Sequence, residues 1–301
     1  MLWLRARVVM LLLGCGLVSP AVGWADSFEG TLKFRTITVP VDQLKGLTGG
    51  STDADKIYAI PMDKVMAAPG VKPRETTIQV KGSKVRADTG GREPGGYVIM
   101  DVDQGTSWMI MPAQKKYIEW TKSDLKALTD KMATMQKQMQ ERMASMPPEQ
   151  RKQMEAMMKS LPNMAGNDAA KPQVHALGKT ETINGMQTKA YEVRIGDESA
   201  VGWVTQDQKD LQHTFKNLRE GQEKIMSRNR GQDIQSALAD TGLPVRVQKV
   251  DHDDYHVEEL VDVQRTSMNA DLFSIPPGFE KTTPQQMMPH GPAGTTEPKS
   301  E

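Results

Sequence analysis

Residues Thr76–Asp88 describe a β-hairpin by two independent routes, and that constrains what can surround it. Thr76–Val80 and Val85–Asp88 alternate apolar and polar residues, and Lys81-Gly82-Ser83-Lys84 lies between them. A two-residue turn at Gly82-Ser83 pairs Val80 with Val85 and Ile78 with Ala87. All four then share one face, while Gln79 and Arg86 share the other. Pattern and turn chemistry agree, so the hairpin is a fixed point from which the neighbouring strands can be laid out. Tyr97–Val102, Ser107–Met111 and Lys115–Trp120 follow, joined by Asp103-Gln104-Gly105-Thr106 and Pro112-Ala113-Gln114. Short polar loops of this kind join antiparallel neighbours. The strand from Tyr97 is apolar on both faces, which predicts cover on both sides.

The same reading extends in both directions. Residues 27–40 open a strand with Phe28, Gly30, Leu32 and Phe34 in one phase and Ile37 and Val39 in the other, which predicts a bulge near Thr36. Residues 41–73 are rich in Gly, Pro, Asp and Ser and read as a long loop with one short element near Ile57–Ile60. Strands resume over 174–183, 187–195 and 200–205, with Asn184-Gly185 as a strong turn signal. Leu211, Phe215, Leu218, Gln222 and Ile225 mark a helix over about 207–227, and a shorter helix over 232–240 stops at Gly242-Leu243-Pro244. Val245–Val250 and His256–Gln264 close the sheet, and Asp271–Phe279 reads as a last short strand. About ten antiparallel strands must curl or be covered. The expected fold is therefore α+β: one curved antiparallel sheet, a half-barrel, with the 207–240 helices on its concave side. Residues 281–301, rich in Pro, Thr, Gln and Gly, are expected to be disordered.

One segment breaks the strand rhythm. Over 122–161, Leu125, Leu128, Met132, Met135, Met139, Met143 and Met146 recur at spacings of three and four. Lys, Gln, Glu and Arg fill the positions between them. This is the signature of an amphipathic helix with a sulfur-rich stripe. Pro147-Pro148 interrupts it, and Met154, Met157, Met158 and Leu161 continue the stripe, so an inserted helical hairpin is expected. Three readings of the stripe stand side by side. It can be core packing, since Met fills irregular space. It can be a pliable surface for lipid chains or partner proteins, through Met132, Met135, Met139, Met143, Met154 and Met157. Or Met139, Met143, Met154 and Met157 can converge as thioether ligands for Cu(I) or Ag(I), which soft donors select.

The N-terminus reads as an export signal. Arg5 and Arg7 precede the apolar run Val8–Val18, Pro20 breaks it, and Gly23-Trp24-Ala25 offers small residues before a cut after Ala25. The domain plan is then a signal over 1–25, one domain over 26–280 and the tail. Leu12-Leu13-Gly14-Cys15 also resembles a lipobox, which would instead anchor the protein through Cys15. Cys15 is the only cysteine, so neither an internal disulfide framework nor a multi-thiolate zinc site is available. The 38 basic and 38 acidic residues balance, and loss of Arg5 and Arg7 leaves 36 against 38. No global field attracts nucleic acid. No later stretch is long and apolar enough for a membrane helix. The expected location is the periplasm, with peripheral contact to a membrane left open.

Chemistry-bearing clusters are few. His252 and His256 stand among Asp251, Asp253 and Asp254, but the surrounding alternation makes this a polar turn rather than a helix that converges two imidazoles. His175 and His213 are isolated. There is no nucleophile elbow, Walker loop, Rossmann glycine pattern or HExxH helix, and Gly90-Gly91 and Gly95-Gly96 flank a loop with no helix to receive phosphate. No enzymatic activity and no cofactor are expected.

Several short motifs carry a resemblance. They are Phe28-x-Gly30, Ile78-x-Val80-x-Gly82-x-x-Val85-Arg86, Pro112-x-x-Lys115-x-Tyr117 and Pro147-Pro148-Glu149-Gln150. Asn184-Gly185 with Lys189-x-Tyr191, Trp203, and Phe273-x-Ile275-Pro276-x-Gly278-Phe279 complete the set. On these the chain resembles a family of secreted bacterial proteins classed as a domain of unknown function (number four-four-one-two). The order of elements is also similar to the LolA/LolB lipoprotein-carrier fold, a half-barrel with an apolar cavity capped by helices. That second likeness is architectural, and lipid carriage comes from it by fold analogy alone. The resulting expectation is non-enzymatic binding of an apolar ligand, either an acyl chain or an exposed apolar segment of an envelope protein. The alternatives are a soft-metal binder and a purely structural envelope protein.

Overall fold

A computed structural model describes residues 28–88, 95–121, 171–196, 198–226, 234–251 and 253–283, and positions 122–124, 127, 130, 131, 134, 137, 138 and 141 of the intervening segment. The export signal with Cys15, and the tail beyond residue 283, lie outside the described residues. Among the described residues twelve strands form one open sheet. They are β1 (Gly30–Pro40), β2 (Arg74–Lys81), β3 (Lys84–Asp88), β4 (Tyr97–Asp101), β5 (Thr106–Met111) and β6 (Lys116–Thr121), then β7 (Gln173–Ile183), β8 (Met186–Ile195), β9 (Glu198–Thr205), β10 (Leu243–Asp251), β11 (Asp254–Arg265) and β12 (Glu280–Thr282). Their order across the sheet is β12-β6-β5-β4-β3-β2-β1-β11-β10-β9-β8-β7. All pairs are antiparallel except β12 on β6, which is parallel. The β2–β3 register matches the sequence reading pair for pair: Ile78 faces Ala87 and Val80 faces Val85. Asn184 and Gly185, both at positive φ (49° and 79°), make the β7–β8 turn.

Strand β1 explains its own change of phase. Between Phe34 and Pro40 its pairing to β11 runs one to one, so there is no bulge near Thr36; the register slips between Lys33 and Phe34 instead. The phase change is a change of face. Leu32 and Phe34 pack with Leu211 and Leu218 of helix α4 (Lys209–Met226). Ile37 and Val39 pack with Val41, Leu44, Ile57 and Val65. Those four belong to three helices, α1 (Val41–Leu44), α2 (Ala54–Tyr58) and α3 (Met62–Met66), where a loop was expected. Each has four or five residues, too few for a 3.6-residue period to show. Asp53 caps α2, its carboxylate accepting from the Asp55 amide at 2.9 Å. One central strand thus serves two cores on opposite faces of the sheet.

On the first face, Thr214 of α4 accepts a hydrogen bond from the Phe28 amide at 2.8 Å. Phe215 meets Phe34 edge to face, with ring centroids 6.4 Å apart. Helix α5 (Ile234–Ala239) sets Leu238 against β9 at Gly202. A Cβ there would lie 2.3 Å from Leu238 Cδ1, so only glycine lets the helix sit this close.

The C-terminal segment corrects two expectations. Ala270–Phe273 is a 3-10 turn rather than a strand, and the strand comes later, at Glu280–Thr282. Lys281 and Thr282 are therefore ordered, and Thr282 is buried. The parallel pairing reflects the route. The chain crosses the face of β3–β6 before reaching the β6 edge, so it arrives in the same direction as β6. Met268, Phe273, Ile275 and Phe279 pack there on Tyr97, Ile99, Ile110 and Tyr117. Strand β4 is accordingly covered on both sides.

Candidate functional site

The register of β3–β6 separates two rows of side chains. On the face opposite the C-terminal segment, Ala87, Val98, Met109 and Ile118 are successive cross-strand partners. Val85, Met100, Ser107 and Trp120 form the neighbouring row on that face. Val85, Ala87 and Met100 are buried and join the core under α4. Farther along the rows the cover is uneven: Val98 and Trp120 are half-buried, Met109 is 38% exposed, and Ile118 is buried. Leu47 and Leu177 are the other exposed large apolar residues among those described. Met109, the exposed position within this apolar row, marks the candidate contact point for an apolar ligand.

The Met-rich segment leaves the sheet at this place. Thr121 and Asp124 form a reciprocal cap: the Asp124 carboxylate accepts from the Thr121 amide at 2.9 Å, and Thr121 Oγ1 accepts from the Asp124 amide at 3.2 Å. Every described position between Lys122 and Glu141 is helical and exposed. They include Lys122, Asp130, Lys131, Lys137 and Glu141, the polar residues of the predicted amphipathic helix. Met132, Met135, Met139, Met143, Met154 and Met157 lie outside the described residues. Among the described residues β6 lies beside one edge of the sheet and β7 forms the other.

Among the described residues an open cleft of about 280 Å³ lies between Leu47, Thr48, Lys56 and Ile60. A cavity of about 50 Å³ lies between α4, α5 and the sheet, lined by Phe34, Phe215, Leu243 and Arg219 among others. Ligand pockets run from about 300 to 1,000 Å³. The other end of the sheet is closed by polar contacts. Asn184 donates to the Leu260 carbonyl at 2.9 Å and to Glu259 at 3.2 Å. Three pairings separate β8 from β11, about 14 Å in a flat sheet. The β7–β8 tip therefore folds over onto β11, and the sheet curls at this end. Inside the curl Arg246, 7% exposed, donates from Nε to Glu259 at 2.5 Å and from Nη1 to Glu181 at 3.1 Å. Arg35 approaches Glu259 at 3.8 Å. Gln248 accepts from Trp203 Nε1 at 3.2 Å and donates to Tyr255 Oη at 2.6 Å. Burial pushes the Tyr255 phenol up to about 12. This network is ion-paired and hydrogen-bonded, and it lies beside the buried apolar Ile183 and Met186.

Neighbouring carboxylates on β11 have opposite surroundings. Glu259 is held by Arg246. Glu258 points to the other face, opposite Thr36 and Val247, and makes no hydrogen bond or ion pair among the described residues. Burial pushes its carboxyl from the ordinary 4.5 up to about 7. Its strand neighbour His256 is bonded to Thr38 Oγ1 at 3.1 Å, and burial draws its imidazole below the usual range against the opposing pull of Asp254 and Asp251. His252 lies outside the described residues, and no group of three or more His, Cys, Asp or Glu could hold a metal among those described. Sequence reasoning missed Glu258 and Arg246. Their only signal was a charge at an inward position of an alternating strand, which is visible once the strand's two faces are assigned.

No helix among the described residues is long and apolar enough to cross a membrane. No curated protein matches the chain significantly in sequence. Among solved structures, an uncharacterized conserved protein from Thermus thermophilus is similar over 86% of this chain and 92% of its own, at 6% identity and a TM-score of 0.35. PNGF-II is similar over 85% of this chain at 9% identity and a TM-score of 0.34; this chain spans 32% of its length. The model of the family described as a domain of unknown function (DUF4412) matches residues 120–279, from the end of β6 to the residue before β12 and just over half of the chain, so the chain belongs to that family.

Proposed function

We propose that this is an exported, non-enzymatic envelope protein that binds an apolar ligand, an acyl chain or an exposed apolar segment of another protein. The observation that carries this reading is the row Val98–Met109–Ile118 with Trp120 beside it, an apolar row that opens to solvent at Met109 between the half-buried Val98 and the buried Ile118. The small cavity favours a ligand lying on this face over one enclosed beneath the helices. Each buried CH₂ group would contribute about 0.8 kcal/mol. The stripe Met132, Met135, Met139, Met143, Met154 and Met157 supplies the remaining contact, because flexible thioether side chains re-pack around ligands of different shape. The finer architecture of this reading is an α+β, LolA-like half-barrel with an inserted helical hairpin over 122–161. The curl at β7–β11 and the helical residues between Lys122 and Glu141 support it.

Titration with a fluorescent fatty acid tests the proposal on the wild type and on Met109→Lys. Saturable binding that weakens about tenfold or more in the variant is expected, since a charge on the face removes at least about 1.4 kcal/mol. No saturable binding, or equal binding by both proteins, overturns it. Uptake of Cu(I) that disappears when Met139, Met143, Met154 and Met157 become Leu, without fatty-acid binding, would replace it with the soft-metal reading.

A further inference from the structure

We infer that Asn184 is a site of spontaneous deamidation, and that losing its side-chain amide releases the β7–β8 tip from β11 in one direction only. Asparagine is a thermolabile residue, and its breakdown runs through the residue that follows it. A bond forms from the Gly185 nitrogen to Asn184 Cγ, the Cγ–Nδ2 bond breaks, and the proton of that nitrogen departs with ammonia. Water then adds across one C–N bond of the cyclic imide and leaves aspartate or isoaspartate. Asn184 is the only asparagine of the chain followed by glycine. Nothing lies within 4 Å of the place where a Cβ on Gly185 would stand, so the attacking nitrogen is unshielded on that side. Both residues are exposed at the tip of the turn, and the Gly185 amide makes no hydrogen bond among the described residues.

The consequence follows from what Asn184 holds. Its Nδ2 donates to the Leu260 carbonyl at 2.9 Å and to Glu259 at 3.2 Å. Both partners belong to buried residues, and both are acceptors. An aspartate at this position has no N–H to give. It sets oxygen against oxygen at Leu260 and a second carboxylate against Glu259, and it leaves the Leu260 carbonyl without this donor. Isoaspartate adds a backbone carbon to a two-residue turn whose register is fixed by the pairing of Ile183 with Met186. While the tip is down, Nδ2 is engaged with β11, so attack proceeds from the molecules in which the tip has lifted. The clasp therefore slows its own loss, and a tip that has lost it does not close again.

Ageing the full chain at mildly alkaline pH, followed by peptide mass mapping, tests the site. The mass shift of amide-to-acid conversion is expected at Asn184 ahead of Asn217 and Asn269. Hydrogen exchange tests the consequence. Over residues 181–187, Asn184→Asp is expected to exchange severalfold faster than wild type. It should also exchange faster than Asn184→Gly, which removes the donors without adding a charge and accepts the positive φ of the turn. Aged wild type should match the Asp variant. No conversion at Asn184, conversion no faster than at Asn217 and Asn269, an Asp variant that exchanges like wild type, or acceleration spread evenly over the sheet overturns the proposal.

Discussion

The two ends of the sheet are closed by different chemistry. At the β3–β6 end the chain returns and lays Met268, Phe273, Ile275 and Phe279 over one face, so closure is by apolar burial. Charge pins this segment at its ends and once midway, where Arg86 Nη1 donates to the Leu272 carbonyl at 3.3 Å. Glu29 accepts from Lys81 Nζ at 2.8 Å and from the Met268 amide at 2.6 Å, and Lys281 pairs with Glu119. The Lys81 bond, then the Met268 amide, hold the Glu29 carboxyl below the usual range. At the β7–β11 end the sheet curls onto itself, and beside the buried Ile183 and Met186 the facing strands meet through Glu181, Arg246, Glu259 and Asn184. Apolar closure tolerates imprecision, because its energy follows area. Ionic closure demands that every member be paired, because a buried charge left alone is costly.

The sharpest way to break this comparison is at Arg246. Arg246→Ala should cost about 3 kcal/mol by taking from the buried Glu259 its closest cation and leaving it Asn184 at 3.2 Å and the more distant Arg35 at 3.8 Å, read as a lowered denaturation midpoint, while Arg246→Leu with Glu259→Leu should recover most of it. If the double replacement were as damaging as the single, closure at this end would depend on something besides pairing. Phe273→Ala should cost about 3 kcal/mol, near the lower end for a buried aromatic, and should raise the exposure of Trp108 and Tyr117 to solvent quenchers. A loss well under about 1 kcal/mol would mean that the charged pins, not burial, hold the segment.

The smallest effect separates Glu258 from Glu259. Glu258 has its carboxyl raised from 4.5 to about 7, so the folded state holds a proton that the unfolded state has released. Its contribution is favourable below about pH 4.5 and is lost as pH rises toward 7, a change of about 2 kcal/mol once partial contact with water is allowed for. Glu258→Gln should flatten stability against pH in that window. An unchanged slope in the variant would assign the pH dependence to another group.

What the sequence discloses tracks the distance over which partners act. Val80 and Val85 are read correctly because their turn lies between them. Asn184-Gly185 succeeds for the same reason. Strand β12 fails because its partner β6 is about 160 residues away and nothing local marks a parallel edge pairing. The helices α1–α3 fail because each is a single turn, stabilised by the core of Ile37, Val39 and Tyr255 rather than by its own period. At the candidate site the helical conformation of the described positions between Lys122 and Glu141 was legible, and the cap Thr121-Lys122-Ser123-Asp124 could have been found as a capping-box variant. The Val98–Met109–Ile118 row could not, since which face is covered depends on where the C-terminus returns.

The placement of β1 governs how this protein comes into being. Its residues 30–40 are zipped to 254–265, and the match to the family model begins only at residue 120. The strand synthesised first must therefore wait, single-sided, until nearly the whole chain has emerged. Contacts of such long sequence separation slow folding. The halves are consequently not separable modules: a chain stopped before residue 254 lacks Leu260, which β11 gives to one core, and Tyr255 and Val257, which it gives to the other.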